Sequence, residues 1–152
     1  MIVTFCGHAD TILSKKEKER LEKIVRYLID KNPGCKFYLG GYGSFDMKCL
    51  EILTDIKKQS NKIERIFITP YLNESYFKLQ QAKYIYDDTI YPPIENSPLR
   101  FAIEKRNRWM LYNADLIICY INRTFGGAYN TYKYAKRKKK ACVNIFDKNN
   151  NP

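Results

Sequence analysis

Three short glycine turns carry most of the chemistry that this sequence could perform. The first, Gly40-Gly41-Tyr42-Gly43-Ser44-Phe45-Asp46, follows the run Lys36-Phe37-Tyr38-Leu39. Three glycines within four residues permit positive φ angles and leave backbone N–H groups bare. Ser44 is placed to cap a helix over about residues 45–60, whose N-terminus would offer orphan donors and partial positive charge to a phosphate or carboxylate. Asp46 falls in that first turn, where a carboxylate complements the helix dipole. The second turn, Phe125-Gly126-Gly127-Ala128, lies between an apolar run and a helical stretch. The third, Gly7-His8-Ala9-Asp10, follows Ile2 to Cys6, and a glycine directly after a strand lets backbone approach a ligand. His8 is the sole histidine. A lone histidine in such a loop is more often a hydrogen-bonding group than a catalyst or metal ligand. Cys6 and His8 fall short of the roughly four ligands that zinc takes, so no metal site is expected.

These turns need strands and helices to hold them. Ala114 to Ile121 is short, apolar and rich in β-branched residues, which reads as a strand buried on both faces. A helical stretch to about Lys139 and the run Ala141 to Phe146 complete a βαβ unit around the second glycine turn. In such sheets ligands bind at the carboxyl ends of strands, where loops feed helix N-termini. Upstream, Ser14 and Glu17 form a capping box for a helix to about Lys31, with Leu21, Ile24, Val25, Leu28 and Ile29 as its buried stripe. Asn32-Pro33-Gly34 stops it. Ile63 to Thr69 reads as a strand closed by Pro70-Tyr71, and Asn73 or Ser75 as the start of a helix to about Tyr84. Asp87 to Pro93 reads as a short strand and loop, its adjacent aspartates solvated rather than metal-binding. Ser97-Pro98 opens a helix to about Tyr112, with Phe101, Ile103, Met110 and Leu111 as its buried face. The alternation of strands and helices predicts an α/β class, a single Rossmann-like doubly wound domain over residues 1–147 with a mainly parallel sheet flanked by helices, and a polar C-terminal tail over 148–152.

Bulk composition narrows the setting. The chain has 152 residues, enough for one domain of ordinary size. No segment approaches the roughly 18 apolar residues of a membrane span, and the first residues lack a signal peptide's basic region. Five cysteines without a Cys-x-x-Cys pair, with Cys6, Cys119 and Cys142 read as buried thiols, point to a reducing, cytoplasmic location. A formal net charge of +11 favours an anionic partner, although a Lys-, Asn- and Ile-rich composition also follows from an AT-rich genome. The run Lys136-Arg137-Lys138-Lys139-Lys140 is read as a solvated helix end, favoured by the macrodipole, before it is read as a nucleic-acid patch. No internal repeat or linker is visible, and a phage or mobile-element origin is compatible with the sequence.

Tyr38 to Met47 resembles the Gly-rich second-strand turn of the SLOG superfamily, which includes the Lonely Guy cytokinin phosphoribohydrolases, DNA-processing protein A and YpsA-like proteins. Glu104 to Met110, followed by Asn113-Ala114-Asp115-Leu116-Ile117, is similar to their "Arg, then Met, then Asp-hydrophobic-hydrophobic" pattern. Phe125 to Thr131 falls where they carry a Pro-Gly-Gly-x-Gly-Thr turn, and the opening Phe5-Cys6-Gly7-His8 leans toward the YpsA-like branch. The resemblance spans nearly the whole chain. It implies a nucleotide pocket lined by Gly7, His8, the loop Gly40, Gly41, Gly43, Ser44, Phe45 and Asp46, the strand end Pro70 and Tyr71, and Gly126, Gly127, Ala128 and Thr131. It implies that two helix N-termini hold phosphate and that Arg106, with Asn107 beside it, clamps phosphate or ribose through forked donors. A homo-oligomer is also implied.

One departure bears on activity. The phosphoribohydrolases follow their glycine turn with a glutamate, and N-glycosidic cleavage needs a carboxylate near an oxocarbenium-like centre. Here the helix after Gly127 carries Tyr132, Lys133 and Tyr134 and no acid. The catalytic candidates are then Asp46, the best placed, and Asp10, with Glu104 a further choice. The leading expectation is a cytosolic binding protein or sensor for a nucleotide or nucleotide-derived ligand, NAD-derived and cyclic nucleotides included, with no separate cofactor. The alternative is an N-glycosidase or transferase acting on nucleoside phosphates. A third reading, single-stranded nucleic-acid binding, rests on the tyrosines and lysines.

Overall fold

In the computed structural model, residues 1–60, 62–83 and 85–146 are described; of 81–83 only the backbone is. The polar tail, Asp147, and the expected helix end at Tyr84 lie outside the described residues. The chain order is β1 (Ile2–Gly7), α1 (Lys15–Lys31), β2 (Cys35–Leu39), α2 (Ser44–Gln59), β3 (Ile63–Ile68), α3 (Glu74–Lys83), β4 (Asp88–Ile90), a 3-10 turn (Leu99–Phe101), α4 (Ala102–Asn113), β5 (Leu116–Tyr120), α5 (Gly127–Arg137) and β6 (Cys142–Asn144). The strands form one sheet in the order β4-β3-β2-β1-β5-β6, and every pairing is parallel. The chain walks outward from β1 through β4, then returns to the other side of β1 with β5. The point of reversal between β1 and β5 is where an open α/β sheet leaves a crevice at its strand ends.

Alternation along the strands sorts the core into two faces. Val3 and Phe5 of β1, Phe37 and Leu39 of β2, and Ile118 and Tyr120 of β5 pack with Leu21, Val25 and Leu28 of α1 and Cys49, Leu50 and Leu53 of α2. The alternate residues Cys6, Ile117 and Cys119 pack with Leu111 of α4 and Ala135 of α5, and Tyr38, Ile66 and Ile68 pack with Met110. Because both faces are covered, the strands carry continuous rather than alternating apolar runs.

The capping box forms as its spacing predicts: the Glu17 amide donates to Ser14 Oγ at 3.3 Å, and Glu17 Oε2 accepts from the Ser14 amide at 2.9 Å. Several expectations are corrected. Ser44 is not a cap; Gly43 holds that position at φ +88°, and the Ser44 hydroxyl donates to the Thr11 carbonyl at 2.6 Å. Pro98 precedes a 3-10 turn rather than the α-helix, which begins at Ala102. The inward face of α4 is Ala102, Arg106, Met110 and Leu111, a four-residue rhythm with an arginine inside it, while Phe101 and Ile103 are exposed. Cys142 is half-buried, unlike Cys6 and Cys119. Asp87 is not a solvated turn residue: it accepts from Arg65 Nη2 and Nε at 3.0 Å and pairs with Lys57 at 2.8 Å. In the basic run, Lys140 caps the end of α4, donating to the Ala114 carbonyl at 3.0 Å.

Candidate functional site

The C-terminal ends of β1, β2 and β5 open into a cleft of ≈ 320 Å³. Its floor is the end of β1. A Cβ on Gly7 would lie 2.2 Å from Phe45 Cδ1, so the glycine lets the first turn of α2 close over the strand. Gly41 and Gly43 adopt φ +70° and +88°, the left-handed region that favours glycine.

The glycine loop is pinned from inside. Asp46 Oδ1 accepts from the Gly40 amide at 3.1 Å and Oδ2 from the Gly41 amide at 2.7 Å. Arg106 Nη1 donates to the Gly40 and Ile68 carbonyls, both at 2.6 Å, which ties the end of β2 to the end of β3. Its Nε donates to Asn107 Oδ1 at 2.9 Å. Both charged groups are buried, Arg106 at 3% and Asp46 at 9% exposure. Burial pushes the Asp46 carboxyl up, against the opposing pull of the Gly40 and Gly41 amides and of Arg106. Burial likewise lowers Arg106, and Asp46 opposes that shift. The two buried groups thus brace the loop from either side of Gly40, Asp46 through its amide and Arg106 through its carbonyl, with Nη2 of Arg106 left without an acceptor among the described residues.

The two expected anion-holding helix ends differ. At α2 the Ser44 amide donates to the Ala9 carbonyl at 2.8 Å, and Asp46 occupies the first turn. That end is stitched to the β1 loop. At α5 the cap is Gly126 at φ +90°, no side chain caps the turn, and no acid lies in it. A Cβ on Gly127 would meet nothing within 4 Å. The α5 end thus presents unclaimed N–H groups and partial positive charge to the cleft, with no carboxylate in its own first turn to cancel them.

The cleft brings together Gly7, His8, Gly40, Phe45, Asp46, Arg106, Asn107, Gly126, Gly127, Ala128 and Thr131 from the sequence-derived set. It does not bring in Gly41, whose added Cβ would strike Phe67, Gly43, which packs on Ala9, or Ser44. Pro70 and Tyr71 sit apart at the end of β3, where the Tyr71 amide donates to Thr69 Oγ1 at 3.2 Å. Asp10 lies in an adjoining chamber of ≈ 290 Å³, held by Arg123 at 2.8 and 2.9 Å. Hydrogen bonds from Arg123 hold its carboxyl below the usual carboxylate range. Glu104 pairs with Arg108 on the surface. Asp46 is the one carboxylate among the described residues in the cleft wall.

Sequence reasoning missed Arg123, Tyr42, Ile103 and Met110, which also line the cleft. Arg123 had a signal, since it directly follows the strand end that feeds Gly126. Ile103 and Met110 were expected on the buried face of their helix, and the structure turns them, with Arg106, toward the cleft. His8 is 3% exposed, and its Nε2 has no hydrogen-bond partner among the described residues. Burial first, and then the charge of Arg123, lower its pKa from the ordinary imidazole value.

No protein-family model matches the chain, and no curated protein does. Among solved structures, the chain is similar to DNA processing protein A (DprA) from Streptococcus pneumoniae, with a TM-score of 0.60 and 17% identity over 92% of this chain. The match covers 48% of that protein, so the chain spans about half its length. At this identity the likeness shows the fold alone: a Rossmann-like sheet of six parallel strands.

Proposed function

We propose that this domain binds a nucleotide or nucleotide-derived anion, its phosphate at the N-terminus of α5 and its sugar or base along the wall formed by Phe45, Arg106, Asn107 and Met110. The observation that carries this reading is the open α5 turn, with Gly127 unobstructed and no acid in the turn itself. Such a turn binds phosphate through N–H donors and the helix dipole together. Arg106 Nη2 and Arg123 add donors suited to phosphate or ribose oxygens. Asp46 keeps both oxygens on the loop amides, which favours retention of the ligand over turnover. The test is a thermal-shift screen of nucleotides, NAD derivatives and sugar phosphates, followed by chromatography of each hit. A ligand at a hundredfold excess over its dissociation constant should stabilise the fold by about 2.7 kcal/mol and come back intact. Recovery of free base and ribose phosphate would make the protein an N-glycosidase, with Asp46 as the acid.

A second reading, single-stranded nucleic-acid binding, is favoured by a different surface. Arg108 and Arg137 lie 5.0 and 5.5 Å from the ring of Tyr134, and Lys140 lies 5.6 Å from the ring of the exposed Tyr112. Cations interleaved with exposed rings suit phosphate contact and base stacking. The related fold belongs to a protein named for DNA processing. Oligonucleotide binding that weakens steeply with salt, and survives blockage of the cleft, would support this reading. Binding absent at low salt would remove it.

A further inference from the structure

His8 is the one histidine of the chain, is almost wholly buried, and leaves Nε2 without a partner among the described residues. A buried polar atom without a partner is uncommon and calls for an explanation. The ring forms part of two walls: it lines the main cleft on one side and the adjoining chamber on the other. Its Nδ1 lies 4.0 Å from the position a Cβ on Gly126 would take, so the imidazole packs directly against the start of α5. The backbone of Arg123 lies beside it and favours the protonated ring.

The charged and titratable groups around it come from every neighbouring element. Arg123 follows β5, and Asp10 is in the same loop as His8; these two are joined to each other. Glu17 of α1 and Tyr120 of β5 face it from the adjoining chamber. Asp46 of α2, Arg106 of α4, Tyr42 and Cys6 share the main cleft with it. At the ring, the charge of Arg123 disfavours the imidazolium and that of Asp10 opposes it more weakly. What remains is a desolvated ring beside a positive helix end, and this setting favours the neutral imidazole.

We propose that His8 is the proton-accepting group of this site: when an anion settles on the first turn of α5, the imidazole packed against Gly126 takes up one proton from solvent, and its positive charge holds that anion. The inference rests on the anion-binding reading of the cleft and adds to it a direction, since binding consumes a proton. The anion reverses the local field beside the ring, and this change favours the imidazolium. By linkage, affinity is full below the free-state pKa of His8. It then falls about tenfold per pH unit until the bound-state pKa is passed, and is level above that. The ligand class is accordingly a terminal phosphate monoester in place of a phosphodiester, because an imidazolium and a helix end together supply about one and a half positive charges, against about −1.5 to −2 on the monoester.

The test uses sulfate as the probe, because it stays a dianion through the whole range in which imidazole titrates. The imidazole C–H resonance of the full chain is followed by NMR between about pH 5 and 8, in potassium sulfate and in potassium chloride of equal ionic strength. With a single histidine, the signal needs no assignment. The expected result is a pKa below the ordinary value of about 6.5 in chloride, and higher by about one unit or more in sulfate. Calorimetric sulfate affinity should weaken with rising pH, and His8→Asn should bind more weakly with no pH dependence. If sulfate binds and shifts the melt while the imidazole pKa stays put, the role of His8 is overturned and the anion site stands. If neither sulfate nor any nucleotide monophosphate binds, the cleft reading falls and this inference with it. Should His8→Asn fail to fold, the wild-type titration still decides.

Discussion

Gly127→Asp separates the fold from the function at one atom-scale position. Gly127 is the first residue of α5, its φ is outside the left-handed region, and a Cβ there would meet nothing within 4 Å. The substitution is therefore sterically free. Replacing glycine in a compatible conformation reduces the entropy of the unfolded chain by about 0.4–1 kcal/mol. A carboxylate in a first helical turn adds about 0.3–1 kcal/mol through the dipole. The fold should gain about 1 kcal/mol or somewhat more, a rise in Tm of roughly 2–4 °C for a domain of this size. Ligand binding should move the other way. A carboxylate about 5 Å from a bound phosphate repels each unit of its charge by roughly 3 kcal/mol at an effective dielectric near 20. That corresponds to a loss of about two orders of magnitude in affinity for each unit of ligand charge. Gly127→Ala is the control, with similar stability and affinity within a few-fold of the parent. Paired thermal melts and calorimetry with the best ligand from the screen check both halves. A variant that is more stable yet binds the ligand undiminished would refute the placement of the anion at α5. A variant that loses stability would refute the claim that the α5 end is unobstructed.

Gly7→Ala should lose at least 1–3 kcal/mol, since its Cβ would overlap Phe45 and the strand end cannot retreat; urea denaturation reads it, and an unchanged midpoint would refute the close approach. Asp46→Asn should cost about 3–5 kcal/mol, because it leaves Arg106 buried without its counter-charge and turns an amide donor toward the Gly40 and Gly41 N–H groups. A stable variant with normal ligand binding would mean that the brace is not structural. Asp87→Asn should cost about 3 kcal/mol at neutral pH. Burial alone would raise Asp87, but hydrogen bonds from Arg65 and Lys57 outweigh it and hold the carboxyl well below its usual range. This depressed pKa stabilises the fold above the unfolded value of about 3.9, and the contribution is lost as pH falls through and below that value. Acid titration of parent and variant should therefore show their stabilities converging at low pH, and a constant gap would argue against the ion pair.

How far the sequence reaches is clearest in four places. The capping box at Ser14 and Glu17, and the stop at Gly34, were legible because both are contacts between residues a few positions apart. Parallel pairing was legible because strands covered on both faces must be apolar throughout. That Gly7, Gly126 and Gly127 reach one cleft followed from the rule that ligands sit at strand ends. The strand order that puts β1 beside β5 is a long-range pairing, however, and nothing local encodes it.

The division of labour inside the site belongs to the tertiary structure alone. The two glycine-rich helix starts look equivalent as sequence. In the fold, the Asp46 carboxylate turns back onto the Gly40 and Gly41 amides and Ser44 ties itself to the β1 loop, so α2 spends its donors internally and α5 does not. Arg106, on a helix dense with charge, could have pointed to solvent like Arg108. A four-residue spacing from Ala102 and Met110 turns it inward instead, where two carbonyls from different strands await it. Local sequence determined which elements form and where some of them begin, as at Ser14, because those energies come from neighbours along the chain. Which donors stay free, which charges cancel, and which histidine nitrogen is left without a partner depend on groups brought together across tens of residues, and only their packing could decide them.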